Sequence, residues 1–321
     1  QQKNVFFIFS CLFIFLLAGF LLYNVDKWSV TVDRWSALSF WSENLKNGKF
    51  PYGTPTHVGG YASPFPVWQI FHFPFHLMGD TFYAEILCLL IFFIFLFVNR
   101  TRMNIGGIVL LMILSPAFWW EITVRSDLLC NMLLVFIFIA SNIYNERFWE
   151  KKKYLIALII GLFLCTKLLT GIPLFLFFFP RFVRYTTKDK IFSALIIAAG
   201  FIAPFLPFLF GEHSLLNHPE YNPMLQQTRQ GSLITVVVGL ALMIVASLYW
   251  RTLRQCFFFA GLFLFALVFS VAATIWYANG MSWEYLLFAD EMDISYFNVS
   301  LPFFLYCINE GKTLIFKYSH I

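Results

Sequence analysis

The sequence predicts an all-α polytopic membrane protein, and three observations predict it. Sixty per cent of the 321 residues are hydrophobic and 12% are charged, with 43 phenylalanines, against roughly a quarter charged in an ordinary soluble domain. Apolar runs close to the ~20 residues that cross a bilayer as helix recur along the whole chain. The basic residues stand between those runs and sort to alternate loops, as the positive-inside rule requires. A single soluble core stops growing near this chain length, so lipid is the solvent for most of this apolar surface. The formal net charge of +5 is small and scattered, with no basic stripe for nucleic acid.

Taken in order, the runs cover 5–23, 82–98, 103–118, 128–144, 191–210, 232–250, 256–276 and 296–309. The first follows Lys3 and lacks an A-x-A-like cleavage site, so it reads as a retained helix and not a signal peptide. The stretch 154–183 is too long for one helix and is interrupted by Lys167, Thr170, Gly171 and Pro173. Lys151, Lys152 and Lys153 precede it, and Arg181 and Arg184 end it. Both ends therefore belong to one compartment, and the stretch predicts two short helices meeting near the opposite face. The total is about ten transmembrane segments in one transmembrane domain, 1–321.

That domain divides into a long first outer loop (24–81), core helices (82–183) with an outer turn at 119–127 and a break near 167, and C-terminal helices (184–321). The C-terminal part carries outer loops at 211–230 and 277–295. With the N-terminus inside, 15 of the 22 basic residues fall in inner loops.

Two helices lying in the membrane interface are expected in the first loop. Trp35, Leu38, Trp41 and Leu45 recur at helical spacing after Asp33. The segment 63–78 spans only about 22 Å even if wholly helical, and carries His72, Pro74 and His76. It is expected on the surface with Trp68 and its phenylalanines facing lipid. The competing map, in which this segment crosses and the N-terminus is outside, satisfies the charge rule too; helix length and Lys3 favour the first.

The six cysteines form no CxxC or Cys/His spacing, which supports neither a disulfide framework nor a zinc site. His72 and His76 have the i, i+4 spacing of a metal pair, but no third ligand accompanies them. No metal site is assigned, and a divalent metal is a cofactor the sequence does not support. Eight of the ten tryptophans, all except Trp149 and Trp250, fall on the predicted outer side. They suggest either an aromatic-lined cleft or simply longer outer loops.

The polar residues of that side are the candidate site. Glu121, Arg125 and Asp127 lie at a helix junction, at a depth where ionisable groups are costly unless paired and tend to be functional. Glu121 and Arg125 form an i, i+4 ion pair if the turn is helical. Otherwise Arg125 offers a forked donor set to a phosphate. Lys167 is a cation in a helical break, either snorkelling to the interface or binding an anion. Asp33 opens the first interfacial helix, where an Asp is also an ordinary N-cap.

The layout D-R-W…L-K-N-G-K-F-P-Y…S-P-F-P in the first loop, SPAFWWEITVRSD at the second outer turn and CTKLLTGIP at the break resembles the GT-C-fold glycosyltransferases. The resemblance covers roughly the first 185 residues. It implies a membrane enzyme, in a bacterial cytoplasmic membrane with an extracytoplasmic active face, that takes a sugar from a polyprenyl-phosphate donor. The acceptor would be a glycan, lipid or protein. It further implies that Asp33 is the catalytic base, that Arg34, Glu121, Arg125, Asp127 and Lys167 serve the substrate, and that loop 211–230, with Arg229, closes over the donor. No D-x-D pair occurs in the first loop. The alternatives are a non-catalytic subunit binding lipid or a partner, a transporter or flippase, and an O-antigen ligase or polymerase. No internal repeat of the kind transporters show is found.

Overall fold

The computed structural model describes residues 2–101, 103–211, 213–228, 233–284 and 293–308. Among them every regular element is helical. In chain order these are α1 (Gln2–Asn24), α2 (Arg34–Lys46), α3 (Pro66–Leu77), α4 (Tyr83–Val98), α5 (Ile105–Leu114), α6 (Pro116–Thr123), α7 (Leu128–Tyr144) and α8 (Glu146–Glu150). There follow α9 (Lys153–Leu164), α10 (Gly171–Val183), α11 (Thr187–Ile202), α12 (Leu206–Leu209), α13 (Pro223–Thr228), α14 (Leu233–Tyr249), α15 (Leu253–Ala278) and α16 (Leu301–Ile308).

Three helical stretches are long and apolar enough to cross a membrane: Asn4–Asn24, Thr187–Leu209 and Leu253–Ala278. A fourth is added if α5 and α6, bent by 68° at Ser115, count as one span. The remaining apolar helices have 10–17 residues, at most about 26 Å of helix. Only 22% of the best window of Asn4–Asn24, and of Thr187–Leu209, is buried, although both are apolar all round. Phe9, Leu16 and Phe20 on α1 are more than half exposed. Water would penalise such faces and lipid would not.

The chain divides into two compact units: Gln1–Val32, Leu87–Phe136 and Leu233–Ile321 in the first, Asp33–Ile86 and Ile137–Ser232 in the second. The first has an aromatic core. Phe257 stands 4.8 Å from Phe136 and 5.0 Å from Tyr306, ring centre to ring centre, and Phe92 and Phe303 complete the group. Within this unit α1 lies against α5 and α6.

In the second unit Trp41 packs on Tyr52 and Phe208, and Phe65 packs on Phe205. Helices α9 and α11 cross through Gly161 and Gly200, where a Cβ on Gly161 would stand 2.4 Å from the Ile197 carbonyl oxygen. Small residues are what such close helix crossings need.

One expectation is corrected in this unit. The sequence places Trp68 against lipid. Trp35, Leu38, Trp41 and Trp68 are all buried in the protein. The aromatic side chains of the long loop find partners on α12 and within α3, and protein contact takes the place of lipid.

Candidate functional site

In the second unit Asp33 occupies the N-cap position of α2 but makes no side-chain cap. Its carbonyl starts the helix by accepting from Ala37 N. Its half-buried carboxylate turns instead to the loop 56–60, where Thr56 Oγ1 donates to Oδ2 at 3.1 Å. The ordinary N-cap reading of Asp33 is therefore not how its side chain is used. The loop is closed on itself by Thr56 N donating to Gly60 O at 2.6 Å and Gly59 N to Thr56 O at 3.0 Å. Gly59, at φ +91, takes a conformation side chains resist.

His57 ties this loop to α2. Its Nδ1 lies 2.7 Å from Ser36 Oγ, its ring centre lies 4.9 Å from that of Trp35, and Ser36 Oγ donates to Asp33 O at 3.0 Å. A hydroxyl has one proton. With that proton on the Asp33 carbonyl, the His57 Nδ1–H is the donor to Ser36.

A second chain of bonds runs from Arg34 to the helical break. Arg34 Nη1 donates to Ser63 Oγ at 3.3 Å. Gln227 Nε2 donates to Ser63 O at 2.7 Å, and Leu168 N donates to Gln227 Oε1 at 2.8 Å. Alongside, Phe65 N and Val67 N donate to the Thr166 and Cys165 carbonyls. The break after α9 thus lies against 63–67, with Lys167 at its centre in extended backbone. Arg34 and Lys167 are both buried. Asp33, Arg34 and Lys167, together with the loop expected to act as a lid, are joined within one unit. Arg229 of that loop lies outside the described residues.

Glu121, Arg125 and Asp127 belong to the first unit. Helix α6 ends at Thr123, so Arg125 does not share a helical face with Glu121. Arg125 takes φ +53, with its N–H on Ile122 O and Ser126 N–H on Glu121 O, the paired bonds of a Schellman C-cap. A residue other than glycine costs about 1–2 kcal/mol in that conformation. Arg125 Nη2 donates to Leu22 O in the last turn of α1 at 2.9 Å, a placement the helix dipole favours. The Glu121 oxygens accept from Leu129 N at 2.7 Å and Asn298 Nδ2 at 2.8 Å. The first of these satisfies an orphan amide of the α7 N-terminus. Asp127, fully buried, precedes α7, where a negative charge is favoured. Asn298 and Ser295, which bonds Ser126, come from the stretch Ile294–Ser300, which carries no sequence signal for this role.

The two histidines of the possible metal pair part company. His72 Nδ1 donates to Trp68 O at 2.8 Å, and its Nε2 lies 2.8 Å from Glu85 Oε1. A carbonyl only accepts, so Nδ1 carries a proton, and a second proton is shared across the buried His72–Glu85 contact. His76 Nε2 instead lies 2.9 Å from Glu43 Oε2. Hydrogen bonds from His76 and Asn47 pull the Glu43 carboxyl down to about 2. Among the described residues no group of three or more His, Cys, Asp or Glu side chains is placed to hold a metal ion.

The fold and these contacts describe an all-helical chain that fits a membrane protein, with a polar network at the head of α2. Compared with protein-family models, characterised proteins and solved structures, the chain finds no match.

Proposed function

We propose that this chain is a polytopic membrane glycosyltransferase with about ten crossings and a GT-C-like plan, transferring a sugar from a polyprenyl-phosphate donor at the extracytoplasmic face of a bacterial cytoplasmic membrane. The observation that carries the reading is the state of Asp33. Its carboxylate is spared from helix capping and takes one hydrogen bond among the described residues. It adjoins Arg34, which bonds directly to Ser63 in the network that reaches Lys167.

In the proposed reaction Asp33 takes the proton of an acceptor hydroxyl as that oxygen attacks the anomeric carbon. The bond from that carbon to the phosphate oxygen breaks, and polyprenyl phosphate leaves with the electron pair. The configuration inverts. Arg34 and Lys167 stabilise the charge growing on the leaving phosphate. Arg125, with a donor on the end of α1, serves the fold in this scheme.

The test is transfer from a panel of polyprenyl-phosphate-linked hexoses and pentoses by purified protein in liposomes. Asp33→Asn is expected to lose about 10²–10⁴-fold in rate with an unchanged melting temperature. Full transfer by that variant refutes the base. Full access of a membrane-impermeant maleimide to Val58→Cys from outside intact cells is expected as well, since Val58 is exposed.

A further inference from the structure

We infer that the turn 56–60 is the positioning device of the proposed base: Thr56 fixes Asp33 Oδ2 and leaves Oδ1 to take the acceptor's proton. The inference rests on the reading of Asp33 as that base. Three contacts carry it. The Thr56 hydroxyl donates to Oδ2 at 3.1 Å. The turn is locked by its own backbone bonds, Thr56 N to Gly60 O and Gly59 N to Thr56 O. The turn is anchored to the first turn of α2 by His57 on Ser36 at 2.7 Å.

Gly60 leaves room for the turn beside the carboxylate. A Cβ there would stand 3.2 Å from Asp33 Oδ2 and 3.6 Å from Thr56 Oγ1, so only glycine lets the loop backbone pass beside the carboxylate without moving it. A carboxylate at an N-cap ordinarily swings to the helix amides. At Asp33 the backbone, at φ −86 and ψ 4, is outside the extended conformation of a capping residue, and the threonine hydroxyl fixes one carboxylate oxygen, so that the other has a defined position. Such preorganisation lowers the barrier of a proton transfer without tightening substrate binding.

Thr56 is therefore a positioning residue, and its signature is a split between kcat and KM. In the full-length protein in liposomes, Thr56→Val is expected to lower kcat about 10- to 100-fold, the effect of one hydrogen bond to a charged group. Donor KM and melting temperature stay at wild-type values, and Thr56→Ser restores kcat. Wild-type kcat in Thr56→Val overturns the inference. So does a loss of kcat that comes with a lower melting temperature and is not rescued by serine. If Thr56→Val does not fold, Gly60→Ala gives the same reading, and unchanged kcat there overturns the inference. Asp33→Asn run in parallel separates the two levels. An inactive Asp33→Asn beside a fully active Thr56→Val removes only the positioning role, whereas an active Asp33→Asn removes the base and its positioning together.

Discussion

The two polar clusters of this chain contain similar side chains and use them differently. In the first unit Glu121 caps the start of α7 and holds Asn298, and Arg125 closes the end of α1. These contacts finish helices. In the second unit Asp33 stands at a helix start and does not cap it, while Ser63 and Gln227 join α2, the break at Lys167 and α13 into one network. A charged residue at a helix junction therefore says little about function until its partner is known. A carboxylate that declines the nearest backbone amides is the more informative of the two.

Several substitutions sharpen or break this contrast. The largest effect on stability is expected for Glu121→Ala, which orphans the buried Leu129 N–H at about 1–3 kcal/mol and removes one of the two bonds of Asn298 Nδ2, which keeps the Ala117 carbonyl. Thermal unfolding in detergent measures it, and transfer by the folded fraction should be unchanged. Gly161→Ala follows, because its methyl meets the Ile197 carbonyl at 2.4 Å and must push α9 from α11, at about 1–3 kcal/mol.

A smaller effect separates the two jobs of Arg125. Arg125→Gly should be more stable than Arg125→Ala by about 1 kcal/mol, since only glycine accepts φ +53 without strain. Equal melting temperatures would remove strain from the account.

The smallest effect is the pH dependence of the half-buried Glu43–His76 contact. The Glu43 carboxyl is lowered from 4.5 to about 2 by its hydrogen bonds. Its contribution is thus present above pH 4.5 and disappears as pH falls through about 2. The melting-temperature difference between wild type and Glu43→Gln should shrink over that window.

Much of the fold is legible in the sequence, because helix length and apolar runs are local properties. The run 128–144 coincides with α7, the run 256–276 lies within three residues of α15 at each end, and the break near 167 falls where Lys167 interrupts the apolar pattern. Less of the site is legible. Lys167 stands out as a charge in an apolar helical break, whereas Asp33 is singled out only by the family resemblance. Ser63 and Gln227 do not, because nothing local links residues 164 positions apart. The i, i+4 spacing of Glu121 and Arg125 misleads, since Arg125 falls past the helix end and only the backbone reveals it. Hydropathy assigns the Trp68 face to lipid, because it cannot tell lipid from a neighbouring protein surface. The paired glycines at 59 and 60 lie in the loop that holds Asp33, and the structure is what gives them that role.

The contrast between the units is tested most directly by the affinity of the purified protein for polyprenyl monophosphate, with Lys167→Ala and Arg125→Ala measured side by side. A weakened affinity in Lys167→Ala and a wild-type affinity in folded Arg125→Ala is the expected result. An unchanged affinity in Lys167→Ala together with a loss in folded Arg125→Ala would place the phosphate with the first unit's cluster and contradict the account.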